Sequence, residues 1–236
     1  MAEDLKQEAA EGRGQVICGD ARLAETWDVL GAAAGAVVSS PPYLNNYDYA
    51  DATRLELYFW GTVGTWHELT SRIRAPMIAG STQQTSRPGS RSAVSALETL
   101  LPDESAEVKE LAAALKMERA ARPRGKEYDQ LALMYFRDMT DCLIQIREHT
   151  VVGAPTRLVL GDSAPYGVHV DTPSIIGRIA KELGFELHSN VILRQRGLRW
   201  HSNGQRHAVP LCERLVALKS PGPSEKAQKT VRGLSD

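Results

Sequence analysis

The chain lacks several common signatures. Its three cysteines, Cys18, Cys142 and Cys212, are scattered over 236 residues. They form no CxxC pair and no metal-ligand spacing with histidine, so neither a metal site nor a disulfide framework is expected. No apolar run reaches the roughly 20 residues that span a bilayer, which argues against a membrane protein. The opening MAEDLKQEAAEGRG has no basic segment followed by an apolar one, so export is not expected and a cytoplasmic protein with reduced cysteines is. An excess of one charge is also missing: 28 Lys and Arg stand against 29 Asp and Glu, a net charge of -1. Any contact with nucleic acid must then come from local basic patches. No internal repeat is visible.

Hydrophobic residues make up 42% and charged residues 24%, which suits a globular chain of one domain, or one domain with a large insertion. Gln15–Cys18 reads as a short strand ending at Gly19-Asp20. A weak helix follows over 23–34. The run at 36–39 reads as a fully apolar strand of the kind buried in a parallel sheet. Residues 51–60 look helical, with Leu55, Tyr58 and Phe59 on one side. Residues 62–102 fit no regular pattern, and GSTQQTSRPGSRS reads as a mobile polar loop. Helices are expected from 103 or 105 to about 122 and over 127–149. The second buries Leu131, Met134, Tyr135, Cys142 and Ile146. A strand at 157–161 ends in Gly-Asp. Thr172 is expected to cap a helix that Gly184 stops. Residues 185–193 and 214–219 pair as an antiparallel hairpin, and a polar tail follows from 221. Alternating strands and helices predict an α/β fold with a mostly parallel sheet. Ligands in such sheets sit beyond the carboxyl ends of the strands, where Gly19-Asp20, Ser40–Tyr43 and Gly161-Asp162 all fall.

Ser40-Pro41-Pro42-Tyr43 carries the chemistry. Two prolines after a strand also suit a stiff loop that merely ends it. Here an apolar strand leads in, an aromatic follows at once, and Asn45, Asn46, Tyr47, Asp48 and Tyr49 extend a polar and aromatic surface. The stretch SSPPYLNNYDYADATRLELYFWG resembles the catalytic motif of DNA amino-methyltransferases, which carry Asp, Asn or Ser before Pro-Pro and an aromatic. The resemblance covers most of 15–219 and is strongest at 36–61. It implies a Rossmann-like sheet, S-adenosyl-L-methionine as cofactor and an exocyclic base amine as acceptor. The Ser form favours cytosine N4 over adenine N6.

In that family the Ser40 hydroxyl and the Pro41 carbonyl accept hydrogen bonds from the amine and draw its nitrogen towards tetrahedral geometry. Pro42 stiffens the turn. Tyr43 offers a flat face to a flipped base. The resemblance also places Ser39, Gly19, Asp20 and Ala21 at the cofactor, with the acidic residue near its adenine. A simple turn after a strand is the other reading of Gly19–Ala21. Gly161-Asp162-Ser163 suits a structural turn equally well, with Asp162 the candidate for the target pocket. Two basic stretches suit DNA: the loop with Arg72, Arg74, Arg87 and Arg91, and RQRGLRWHSNGQRH with Arg194, Arg196, Arg199 and Trp200. Solvated surface loops are the alternative for both.

The family's glycine loop, roughly Phe-x-Gly-x-Gly after the first strand, and the acidic residue after the second do not appear. By resemblance the strands present are the third to the seventh, so the first two are expected from elsewhere. The preferred source is a second methyltransferase subunit that carries the glycine loop. The expected organisation is a first core part at 1–61, an insertion at 62–126 that contacts DNA, a second core part at 127–219 and a disordered tail at 220–236. The leading reading is the catalytic subunit of a split enzyme in a restriction-modification or phage-defence system. A non-catalytic DNA-recognition or scaffold subunit, and an RNA amino-methyltransferase, are the alternatives.

Overall fold

The computed structural model describes residues 14–85, 97, 102–196 and 210–224. Four strands make one sheet: β1 Val37–Ser39, β2 Pro155–Gly161, β3 Glu186–Arg196 and β4 Leu211–Lys219, in the order β1-β2-β4-β3. Among the pairings of the four described strands, only β1–β2 is parallel, with Val38 opposite Arg157. β4 enters antiparallel between β2 and β3. The sheet is therefore mixed and not mostly parallel. The hairpin expected at 185–193 and 214–219 forms and closes one end of the sheet, with β4 on the inner side and β3 at the edge.

The helices are α1 Ala24–Asp28, α2 Tyr49–Ala52, α3 Arg54–Phe59, α4 Trp66–Glu68, α5 Pro102–Ala120, α6 Tyr128–Glu148 and α7 Thr172–Glu182. The apolar stripe of α6 is buried as its spacing predicts: Leu131, Met134, Tyr135, Cys142 and Ile146 are all at most 7% exposed. α5 and α7 pack against it. Leu158 and Leu160 of β2 point into the same core. That core also includes Ala79, Val108, Ala112 and Leu115, so parts of the segment at 62–126 pack into it. α7 starts at Asp171, whose carboxylate accepts from the Ser174 N–H, and not at a Thr172 cap. Gly184 ends it at φ 91°, a conformation natural to glycine.

The N-terminal part departs further from expectation. Residues 15–18 form no strand, and Val16 is 98% exposed. A strand needs a neighbour to satisfy its backbone, and the described residues offer none there. The helix expected over 23–34 is limited to α1. β1 is an edge strand, not a buried one, and Val38 is 81% exposed. The helix expected at 51–60 is two short ones that meet at Thr53, and Leu55 and Phe59 are exposed. Part of the expected mobile loop is tightly held: Gln84 is buried, donates to the carbonyls of Arg74, Met77 and Ile78, and accepts from Gly80. The expected tail is packed at its start, where Ser220 is buried against Thr150 and Ser224 donates to Glu148. No helix among the described residues is long and apolar enough to cross a membrane.

Candidate functional site

The parallel pair β1–β2 sets the site. Ser40 to Tyr43 leave the carboxyl end of β1, and Asp162 to Gly167 leave the carboxyl end of β2 beside it. Ser39 and Ser40 are exposed. The Ser40 hydroxyl donates to the Val159 carbonyl at 3.5 Å, the outer limit of a hydrogen bond, so it is only loosely engaged.

Tyr43 is held on three sides. Its hydroxyl donates to Glu213 of β4 at 2.9 Å. The Arg196 guanidinium lies over its ring, 5.2 Å from the centroid. Its ring edge lies over Gly161, where a Cβ would sit 2.7 Å from Tyr43 Cδ2 and would also strike Arg196. Burial pushes the Tyr43 phenol above its ordinary value, with the Ser40 hydroxyl working the other way and the Glu213 carboxylate raising it further. Glu213 is itself held below the usual carboxylate range, first by its bond to Arg194, against the opposing effect of burial. Gly161→Ala is expected to destabilise the protein by about 1–3 kcal/mol, the usual cost of overpacking. Chemical denaturation with an unchanged slope measures it. A midpoint like the wild type's would show that the ring and guanidinium give way freely.

A cavity of about 860 Å³ opens beyond these strand ends. Leu44, Asn45 and Asn46 line one side, directly after the motif, and Asp162, Ser163 and Tyr166 line the other. Ser40 and Tyr43 are not among its lining residues. Tyr47 instead lines a smaller cavity of about 170 Å³ with Asp48 and Gly80. Asp162 fulfils a structural role in the larger cavity: one carboxylate oxygen accepts from the Cys212 N–H at 2.5 Å and the other faces His169 Nε2 at 3.1 Å. The aromatic wall of the cavity comes from Tyr128 and Tyr166, whose rings meet edge to face at 4.8 Å. Tyr166 sits at φ 56°, rare for a bulky residue, with its phenol fastened to the Lys126 backbone.

The proposed cofactor turn is held by its own network. Asp20 accepts from Arg22 at 2.6 and 2.9 Å, and Arg22 also donates to Asp138 and to the Pro76 carbonyl. The Ala21 carbonyl accepts from the Trp27 indole, and Gly19 is packed against Thr26. These residues form a hydrogen-bonded turn. Gly19, Asp20 and Ala21 line neither of the two cavities described above.

The basic residues divide. Arg194 is exposed but ion-paired to Glu213 at 2.5 Å. Arg196 is partly exposed and donates to Asn46 and to the Asp162 carbonyl, so it braces the site. Arg74, expected in a DNA-facing loop, is 2% exposed and paired with Asp48. Arg87, Arg91, Arg199 and Trp200 lie outside the described residues. Among the described residues no group of three or more His, Cys, Asp or Glu is placed to hold a metal ion. Sequence reasoning missed Glu213, Tyr128, Tyr166 and Arg122 altogether, because the motif gives no sign of partners more than 70 residues away in the chain. Comparison with protein-family models, with curated proteins and with solved structures finds no match for this chain.

Proposed function

We propose that this chain is the acceptor-binding half of a split amino-methyltransferase acting on DNA, with cytosine N4 as the favoured target. The observation that carries the reading is the placement of Ser40-Pro41-Pro42-Tyr43. The motif leaves the carboxyl end of a parallel strand, and the residues directly after it, Leu44 to Asn46, line a cavity together with the residues after β2. Ligands of open α/β sheets bind at such strand ends. The loosely engaged Ser40 hydroxyl and the Pro41 carbonyl are the acceptors for the two amine hydrogens. Gly161, Arg196 and Glu213 hold Tyr43 beside them, so the groups are set before the base arrives and little reorganisation is needed.

The methyl donor is held elsewhere. A second polypeptide with the glycine loop is the proposed source, docking on β1. Among the described residues β1 is paired on one edge only, and an exposed unpaired edge is a template for another strand. The bond of Asp20 to Arg22 favours one alternative, a DNA-binding subunit that takes no part in catalysis.

One experiment separates these readings. Calorimetry on the purified chain is expected to detect no tight binding of S-adenosylmethionine. Co-expression with a neighbouring reading frame that encodes Phe-x-Gly-x-Gly is expected to give a heterodimer. That heterodimer should bind the cofactor and methylate DNA, with Ser40→Ala lowering the rate more than DNA affinity. Tight cofactor binding by the chain alone would overturn the split arrangement. DNA binding by the assembly with no methyl transfer would leave the non-catalytic subunit.

A further inference from the structure

We propose that Arg196 closes the Ser40–Tyr43 motif off from the neighbouring cavity, and that the site opens when a phosphate-bearing nucleotide takes the Arg196 guanidinium as its partner. The choice of a nucleotide as occupant rests on the function proposed above. Leu44 to Asn46 line the cavity, but Tyr43 directly before them and Ser40 do not. Arg196 does line it. Its guanidinium lies over the Tyr43 ring, 5.2 Å from the centroid. It also donates to Asn46 Oδ1 at 2.6 Å and to the Asp162 carbonyl at 3.2 Å. Asn46 and Asp162 stand on the two sides of the cavity. One side chain therefore bridges those sides and covers the ring that the motif would offer to a ligand.

The surroundings hold this partition in place and also let it go. Gly161 makes room for it, since a Cβ there would strike both the guanidinium and the Tyr43 ring. Asn45 stands at φ 53°, a left-handed conformation that asparagine tolerates, and the turn presents Asn46 to Arg196. The Asp162 carbonyl is steadied by its own side chain, which accepts from Cys212 and faces His169. The partners described for Arg196 are all uncharged: an amide oxygen, a backbone carbonyl and an aromatic face. The Glu213 carboxylate feels its charge but is bonded to Arg194 and Tyr43 instead. A phosphate offers two oxygens in the geometry of the guanidinium fork and a full opposing charge, a stronger partner than neutral acceptors. Asn46 is exposed, so water can replace the bond it loses when Arg196 leaves. A nucleotide can thus draw the guanidinium onto its phosphate and uncover Tyr43 for its base in one movement.

The test uses the full chain, with cytidine and cytidine 5′-monophosphate as probes in calorimetry or ligand-observed NMR. Hydroxyl-radical footprinting of Tyr43, read by mass spectrometry, adds a measurement that needs no ligand. In the wild type the monophosphate is expected to bind more tightly than cytidine, because its phosphate takes the guanidinium. Arg196→Ala is expected to raise the affinity for cytidine about three- to tenfold, the worth of one hydrogen bond that no longer has to be broken, and to close the gap between the two probes. Asn46→Ala, at an exposed position, keeps the guanidinium but removes its latch, and is expected to tighten both probes about threefold. Oxidation of the Tyr43 ring is expected to quicken several-fold in both variants, with the buried Tyr135 as the unchanged control. If Arg196→Ala weakens the monophosphate and leaves cytidine as it was, Arg196 is an ordinary phosphate contact and the inference is overturned. Weaker cytidine binding by both variants overturns it, and so does Tyr43 oxidation at the wild-type rate in both. The two readings fail separately. Faster oxidation and tighter cytidine binding without methyl transfer in the complete assembly remove the enzyme and keep the partition. Methyl transfer by the assembly, with Tyr43 oxidation unchanged in the variants, does the reverse.

Discussion

Tyr43→Ala is expected to lower methyl transfer by the complete assembly about a hundredfold or more, the scale of misplacing a reacting group by an ångström. Tyr43 is where the motif meets the rest of the molecule. Its hydroxyl reaches Glu213, Arg196 lies on its ring, and its edge lies over Gly161. Removing the ring takes the aromatic face from under Arg196 and one donor from Glu213, so the turn that carries Ser40 loses part of its support. Tyr43→Phe removes only the bond to Glu213 and keeps the ring, and is expected to fall between the two. The ring already carries Arg196, so a base can stack only on its remaining surface or by displacing that side chain. Initial rates at saturating DNA and cofactor give the comparison, and unfolding midpoints show whether the fold survives. If Tyr43→Ala methylates DNA like the wild type, the motif does not carry the reaction in this protein.

The largest loss of stability is expected at Asp138. This carboxylate is 4% exposed on α6 and accepts from Arg22 at 2.9 Å and from the Ala79 N–H at 2.8 Å. It ties three separate segments together: the turn at 20–22, the chain at 76–79 and the central helix. Asp138→Ala leaves a buried N–H without its acceptor and a half-buried guanidinium with one counter-charge fewer. The expected cost is about 3 kcal/mol; losing a partner from a buried pair costs about 3–5, and Asp20 remains to hold Arg22. Asp138→Asn keeps an acceptor and is expected to lose about half as much. Urea denaturation of the three proteins measures this. A change within about 0.5 kcal/mol, the range of an indifferent surface substitution, would show that the network adds little. The same variants test whether Asp20 is positioned by Arg22, because loosening Arg22 should disturb the Gly19–Ala21 turn first.

Local patterns in the sequence determined the elements whose causes are local. The stripe of α6 follows from apolar residues every three or four positions, and all five residues named from it are buried. The stop of α7 at Gly184 and the strand at 157–161 follow from similarly short signals. The motif's place at the end of a strand was also legible, because the apolar run at 36–39 leads straight into Ser40-Pro41-Pro42. Only the tertiary structure decided the rest. Whether an apolar run becomes a strand depends on a neighbour far along the chain: Val37–Ser39 finds β2, while residues 15–18 find none among the described residues. The position of β4 between β2 and β3, the tie of Arg22 to Asp138, and the meeting of Tyr43 with Glu213 all join residues that no short window contains. Ser163 was visible only as part of a turn. Its enclosed hydroxyl, without a partner among the described residues, is a property of packing, because burial and hydrogen bonding are decided by what surrounds a side chain.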